Sequence, residues 1–243
     1  MTEFNIEEYL NSLPDNVDTI EVFDKNLKYL PDLSRFKSLM FLYCYKNHLT
    51  LLPTLPEKLV YLNCCCNKLI SLPILPKNLR ILYCNNNQLI SLPVLPENLK
   101  ILYCVNNNLR LIPILPENLK ELFCFNNNLP SLPVLPENLE RLNCRHNNLT
   151  SFPLLNNNLK TIYFNNNPIY EIINYDYYIY RSKFNMLKKN IETLYNFRYL
   201  YYCLKYKEKL WKIRESIIKK KYHPSYLDNL TEDDNLDEKL EKW

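Results

Sequence analysis

The chain of 243 residues contains no glycine and no alanine. Every turn must therefore be built without the residue that adopts positive φ at no steric cost. Asparagine is the next best residue for left-handed backbone and proline is the other turn-maker; both are abundant here. Asparagine, lysine, isoleucine and tyrosine have A/T-rich codons, so this composition points to an A/T-rich genome. The opening "MTEFNIEEYL" is acidic and lacks an apolar run, and no later segment is apolar over the length needed to span a bilayer. The expectation is an intracellular protein in a reducing compartment. Its nine cysteines are then free thiols or ligands rather than disulfides. The sequons at Asn148 and Asn229 carry no weight without secretion. A formal net charge of +4 is mild for this length and does not imply a nucleic-acid partner.

Shifting the sequence by 20 residues aligns most of it with itself. The unit is clearest as "LKILYCVNNNLRLIPILPEN", Leu99 to Asn118. It recurs from Leu39, Leu59, Leu79, Leu119, Leu139 and Leu159, and the anchors L-x-x-L-x-C-x-x-N-x-L fall on Leu99, Leu102, Cys104, Asn107 and Leu109. A looser unit begins at Val17, with Ile20, Val22 and Leu27, and has Lys25 at the asparagine position, making eight units. One unit cannot bury its apolar face alone, but stacked units share a continuous core. A short strand at residues 101–103 and its equivalents, stacked in parallel at about 4.8 Å, gives a ribbon roughly 35 to 40 Å long. The "LPxLP" half, with two prolines, suits extended polyproline-like backbone on the convex side, where no sheet amide is needed. The asparagine ladder (Asn47, Asn67, Asn87, Asn107, Asn127, Asn147, Asn167) is placed to satisfy buried backbone groups of neighbouring coils, each worth about 1 to 3 kcal/mol.

This pattern resembles the leucine-rich repeat over residues 17–169, in the short 20-residue form that occurs in secreted bacterial effectors. The cysteine in the third leucine place, the asparagine-rich turns and the lysine- and tyrosine-rich tail look most like leucine-rich repeat proteins of large amoeba-infecting viruses. The resemblance implies a leucine-rich repeat solenoid, with a parallel short-strand ribbon on its concave face. It also implies recognition of a protein partner there.

The frame places Cys44, Cys64, Cys84, Cys104, Cys124 and Cys144 at the inward third apolar position, with Phe164 in the last unit. Cysteine packs as a small hydrophobe, so this column reads as core. A thiol column for a soft metal is the alternative. However, no histidine or carboxylate shares the row, the spacing is not that of a zinc site, and neither metal nor cofactor is expected. In "LNCCCNKL", Cys65 falls on the concave edge as the more exposed, oxidisable thiol, and Cys66 falls in the turn before Asn67. Catalysis by Cys65 would need a neighbouring base. His48, His146 and His223 are too scattered to supply one.

Three rows of side chains face the concavity. The third-position row is Phe41, Tyr61, Ile81, Ile101, Glu121, Arg141 and Thr161. The fifth is Tyr43, Asn63, Tyr83, Tyr103, Phe123, Asn143 and Tyr163. The seventh is Tyr45, Cys65, Asn85, Val105, Phe125, Arg145 and Asn165. Most central entries are aromatic or aliphatic, so an exposed apolar patch is expected, and such patches mark interfaces. The candidate contact residues are Tyr43, Tyr61, Ile81, Tyr83, Ile101, Tyr103, Val105, Phe123, Phe125, Arg141, Arg145 and Tyr163. Glu121, Arg141 and Arg145 are placed to set orientation. Tyrosines one coil apart can also stabilise the ribbon by packing on each other.

An open solenoid needs caps. Residues 1–16 are expected to form an N-terminal one, with a short helix at 4–12 whose apolar side is Phe4, Ile6, Tyr9 and Leu10. Residues 170–225 are expected to be helical. Phe184, Leu187, Ile191, Leu194, Tyr201 and Leu204 recur at helical spacing and cover the last coil. Leu210, Trp211, Ile213, Ile217 and Ile218 follow before a break near Pro224. Residues 205–221 carry eight basic and two acidic side chains, and the acidic tail at 226–243 holds seven acidic and two basic ones within 228–243. A solvated helix face is the favoured reading of the basic stretch, with nucleic acid or an anionic surface as the alternative.

Three function classes follow: a non-enzymatic binding module, a ubiquitin ligase of the bacterial-effector kind, and a nucleic-acid binder through residues 205–221. No cysteine is followed two residues later by aspartate, so the ligase motif is absent. The first class is the expectation: a monomer that binds a protein partner.

Overall fold

The structure is a computed structural model that describes residues 4–173 and, beyond them, residues 188–189, 191–193 and 196. Each repeat from Leu39 onward opens on a buried leucine and continues into a three-residue strand, and the first unit opens on the partly buried Val17. The strands are β1 (Thr19–Glu21), β2 (Phe41–Tyr43), β3 (Tyr61–Asn63), β4 (Ile81–Tyr83), β5 (Ile101–Tyr103), β6 (Glu121–Phe123), β7 (Arg141–Asn143) and β8 (Thr161–Tyr163). They form one parallel sheet in sequence order. Ile101 lies beside Ile81 and Glu121, and the register shift is one repeat throughout. The chain thus forms the expected leucine-rich repeat solenoid. The middle strand residue, Leu102 in β5, points inward and is fully buried, because successive strand side chains alternate faces.

The turn after each strand is where the missing glycine matters. Lys46, Cys66, Asn86, Asn106, Asn126, His146 and Asn166 all have φ between 52° and 58°, as do Asp24 and Asn26 in the first unit. Asparagine holds this left-handed position in four of the repeats, as its tolerance of that region leads one to expect. Where lysine, cysteine or histidine stands instead, hydrogen bonds between coils impose the same backbone. The Cys66 N–H donates to the Asn85 carbonyl at 2.9 Å and the His146 N–H to that of Asn165 at 3.0 Å.

The ladder asparagines come next. Asn107 Nδ2 donates to the carbonyls of Cys84, Cys104 and Val105, and its Oδ1 accepts the Leu89 N–H. Asn47, Asn67, Asn87, Asn127, Asn147 and Asn167 repeat this pattern. Asn47 also reaches back to the first unit, accepting from the Lys25 N–H. The convex segment then buries every third residue, Leu109, Ile112 and Leu115 in the clearest unit. This is the threefold periodicity of a polyproline-like backbone.

The N-terminal helix α1 (Ile6–Ser12) is capped by Asn5, whose side chain accepts from the N–H groups of Glu7 and Glu8. Ile6 and Leu10 are buried in the core, with Phe4 and Tyr9 packed against it. At the other end, Phe164 takes the cysteine place and packs on Phe152 and Tyr170 at ring distances of 5.2 and 5.3 Å. A second helix, α2 (Pro168–Ile173), begins directly after the last ladder asparagine. That is earlier than the helical spacing from Phe184 implies. The proline, which cannot continue a ladder but fits the first helical turn, sets the start. Ile191 is buried in the same core. Phe184, Leu187, Leu194, Tyr201, Leu204 and the whole of 205–243 lie outside the described residues.

Candidate binding face

The concave face is half-buried rather than openly exposed. Tyr43, Tyr61, Ile81, Tyr83, Ile101, Tyr103, Phe123, Phe125 and Arg145 are of intermediate accessibility, while Arg141 and Tyr163 are exposed. Val105 is only 7% exposed and offers a ligand little surface. The expected open patch is closed down because each aromatic ring leans on the ring of the next coil.

The rings form one file. Tyr43 and Tyr61 have centres 4.9 Å apart, Tyr61 and Tyr83 5.6 Å, Tyr83 and Tyr103 4.9 Å, and Tyr103 and Phe123 4.3 Å. Asn63 would break a file confined to the fifth-position row. Tyr61, from the third-position row of the same strand, fills the gap and meets Tyr83 edge-on. Burial pushes the phenols of Tyr61 and Tyr103 up to about 12, and that of Tyr83 upward. At Tyr103 the hydrogen bond to Glu121 acts in the same direction. All three are neutral hydroxyls at physiological pH.

The charged end is organised differently from the expectation. Glu121 is buried, accepts the Tyr103 hydroxyl at 2.9 Å and pairs with Arg141, whose side chain remains 55% exposed. Its charge is therefore balanced within the protein. Arg145 lies over the Phe125 ring at 4.8 Å. Between them Asn143 is buried, and its Oδ1 has no hydrogen-bond partner among the described residues.

The cysteine column sits where the frame puts it, with Cys44, Cys64, Cys84, Cys104, Cys124 and Cys144 fully buried. Desolvation raises all six thiols, Cys44 and Cys104 to about 12. Cys65 is half-buried, no more open in class than Cys66. Burial holds its thiol up to about 11, against a smaller opposing effect of Asn85. It is a protonated thiol rather than the reactive one its place on the edge suggests. Among the described residues no three His, Cys, Asp or Glu side chains gather closely enough to hold a metal ion. No described helix is long and apolar enough to cross a membrane.

The convex side carries an apolar row of its own. Ile74, Val94, Ile114 and Val134 stand 84–89% exposed on the convex side. They are the central residues of "LPxLP", and the signal was there in the spacing. If leucines three apart point inward, the residue directly after the first proline points out.

A one-coil parallel ribbon, a ladder of buried asparagines and an extended convex return define a leucine-rich repeat protein, and the chain belongs to that family. A Shigella effector leucine-rich repeat domain is 33% identical, covers 67% of this chain and 74% of its own length, and superposes with a TM-score of 0.59. YopM from Yersinia enterocolitica is 34% identical over 64% of this chain (TM-score 0.58), and a leucine-rich repeat protein of Leptospira interrogans is 27% identical over 63% (TM-score 0.51). The match spans 39% of the Y. enterocolitica protein and 49% of its Yersinia pestis counterpart. No protein-family model matches the sequence, nor does any curated protein.

Proposed function

We propose that the chain is a non-enzymatic interaction module, intracellular, that binds a protein partner along its concave face. The file of five rings from Tyr43 to Phe123 carries this reading. Rings held in place lose little conformational freedom on binding, and tyrosine is a favoured anchor at interfaces. Arg141 and Arg145 set the orientation at one end. The Shigella neighbour is an effector domain, which agrees with action on host proteins. The repeat spelling supports a source among large amoeba-infecting viruses. The absence of a Cys-x-Asp motif and the raised thiols speak against a ubiquitin-ligase reading.

A photo-crosslinking residue at Ile101 tests the face, with the same residue at Ile114 on the convex side as the comparison. A discrete adduct from position 101 and none from 114 is expected. An adduct from 114 alone overturns the reading.

A further inference from the structure

We infer that the concave face takes a proline-rich segment in polyproline II conformation, lying across the strands with an acidic residue at the Arg141 and Arg145 end. The inference rests on the concave reading above and names its ligand class.

Spacing is the first argument. Tyr83, Tyr103 and Phe123 follow one another at 4.9 and 4.3 Å. The Tyr83 and Phe123 rings, two coils apart, are therefore separated by at most about 9 Å, and one polyproline II turn of three residues rises about 9.3 Å. A segment with proline at every third position is spaced to set one proline at Tyr83 and the next at Phe123.

Hydrogen bonding is the second. The strand amides of the ribbon already bond between coils, so the middle of this face offers a ligand side chains and no free strand edge. A polyproline II segment needs no backbone pairing and leaves its carbonyls free to accept. The Tyr103 hydroxyl is committed to Glu121, but those of Tyr43 and Tyr83 have no protein acceptor among the described residues. Their O–H groups can donate to such carbonyls. Ile81 and Ile101 form an apolar border alongside.

Charge is the third. The file is uncharged from Tyr43 to Phe123. Exposed Glu21 lies before it in β1, and Arg141 and Arg145 lie beyond it. Since Glu121 already offsets Arg141, Arg145 is the cation left for a ligand carboxylate. A basic residue suits the Glu21 end.

Calorimetric titration of the full chain with three synthetic peptides tests this. One has proline at every third position, lysine at one end and aspartate at the other; one has glycine for each proline; one has lysine in place of the aspartate. Saturable binding of the first is expected, with the glycine peptide roughly tenfold weaker because it must be ordered on binding. The lysine-ended peptide should bind several-fold more weakly, a difference that Arg145→Gln removes. Tyr83→Phe keeps the ring packing and loses the donor, so it should weaken the first peptide several-fold, while Ile114→Ser leaves it unchanged. Equal affinity for the proline and glycine peptides, or no saturable binding, overturns the inference. It does so even where a partner crosslinks at Ile101, which leaves the concave reading standing; a partner crosslinking only at Ile114 overturns that reading as well.

Discussion

The side-chain amide of Asn107 donates to the carbonyl of Cys84, 3.1 Å away and one coil earlier in the stack. The same side chain also accepts the Leu89 N–H at 3.0 Å, so one residue closes buried backbone groups of its own coil and the one before. Asn107→Ala orphans several of these at once and should cost about 2 to 4 kcal/mol. Asn107→Asp keeps the acceptor and loses the donors, and should also destabilise. Urea unfolding midpoints check both.

The buried thiols make stability depend on alkaline pH. Their folded-state values lie above the ordinary thiol value, with Cys44 and Cys104 at about 12. Each stabilising contribution is present in full below the unfolded thiol value, near 8.5, and is lost as pH rises from there through the folded value. The expected slope is about 1.4 kcal/mol per pH unit per thiol in that window. Urea midpoints between pH 8 and 10.5 should fall steeply, and less steeply in a Cys104→Val variant.

Thiol labelling separates the column from its neighbours. In the folded protein with Cys203 replaced by serine, Cys65 and Cys66 should alkylate and the six column cysteines should not until urea unfolds the chain. Cys65 should react slowly at pH 8 and faster as pH rises to 9, since burial holds its thiol up at about 11. Mass spectrometry of the labelled peptides reads this directly.

Arg141 and Glu121 form an ion pair on the concave face. Arg141→Ala leaves a buried carboxylate with only the Tyr103 hydroxyl as partner and should destabilise by about 2 to 4 kcal/mol. Adding Glu121→Gln should recover most of that loss. The double-mutant cycle in urea checks the coupling.

The convex row should behave oppositely to the concave one. Ile114→Ser removes an apolar group that is already 88% exposed, so stability should change by less than about 0.5 kcal/mol. Thermal unfolding of this variant, beside a Tyr83→Ser variant that loses ring contacts on both sides, shows the contrast.

How much of this was legible in the sequence depends on what kind of information each feature needs. The 20-residue period fixes register, so the strand at Ile101–Tyr103, the inward Cys104 and the ladder Asn107 all follow from counting. Accessibility does not follow from counting. Val105 and Phe125 share a row, but only Val105 is buried, because burial depends on the sizes of neighbours one coil away. Tyr61 belongs to a different row from Tyr83, and only the geometry shows that its ring completes the file past Asn63. Glu121 reads as a free charge because its neutralising partner stands twenty residues on. Ile114 is outward because Ile112 and Leu115, three apart on either side of it, both point inward.

The central claim is that the ring file is the binding surface. The most direct test measures the affinity of the partner captured at Ile101 for the wild-type chain and for the variant with Tyr83, Tyr103 and Phe123 all changed to serine. Circular dichroism should first confirm that the variant folds. A loss of at least a hundredfold is expected, since three anchors at about 1 to 2 kcal/mol each are removed. A folded variant with undiminished affinity would contradict the account.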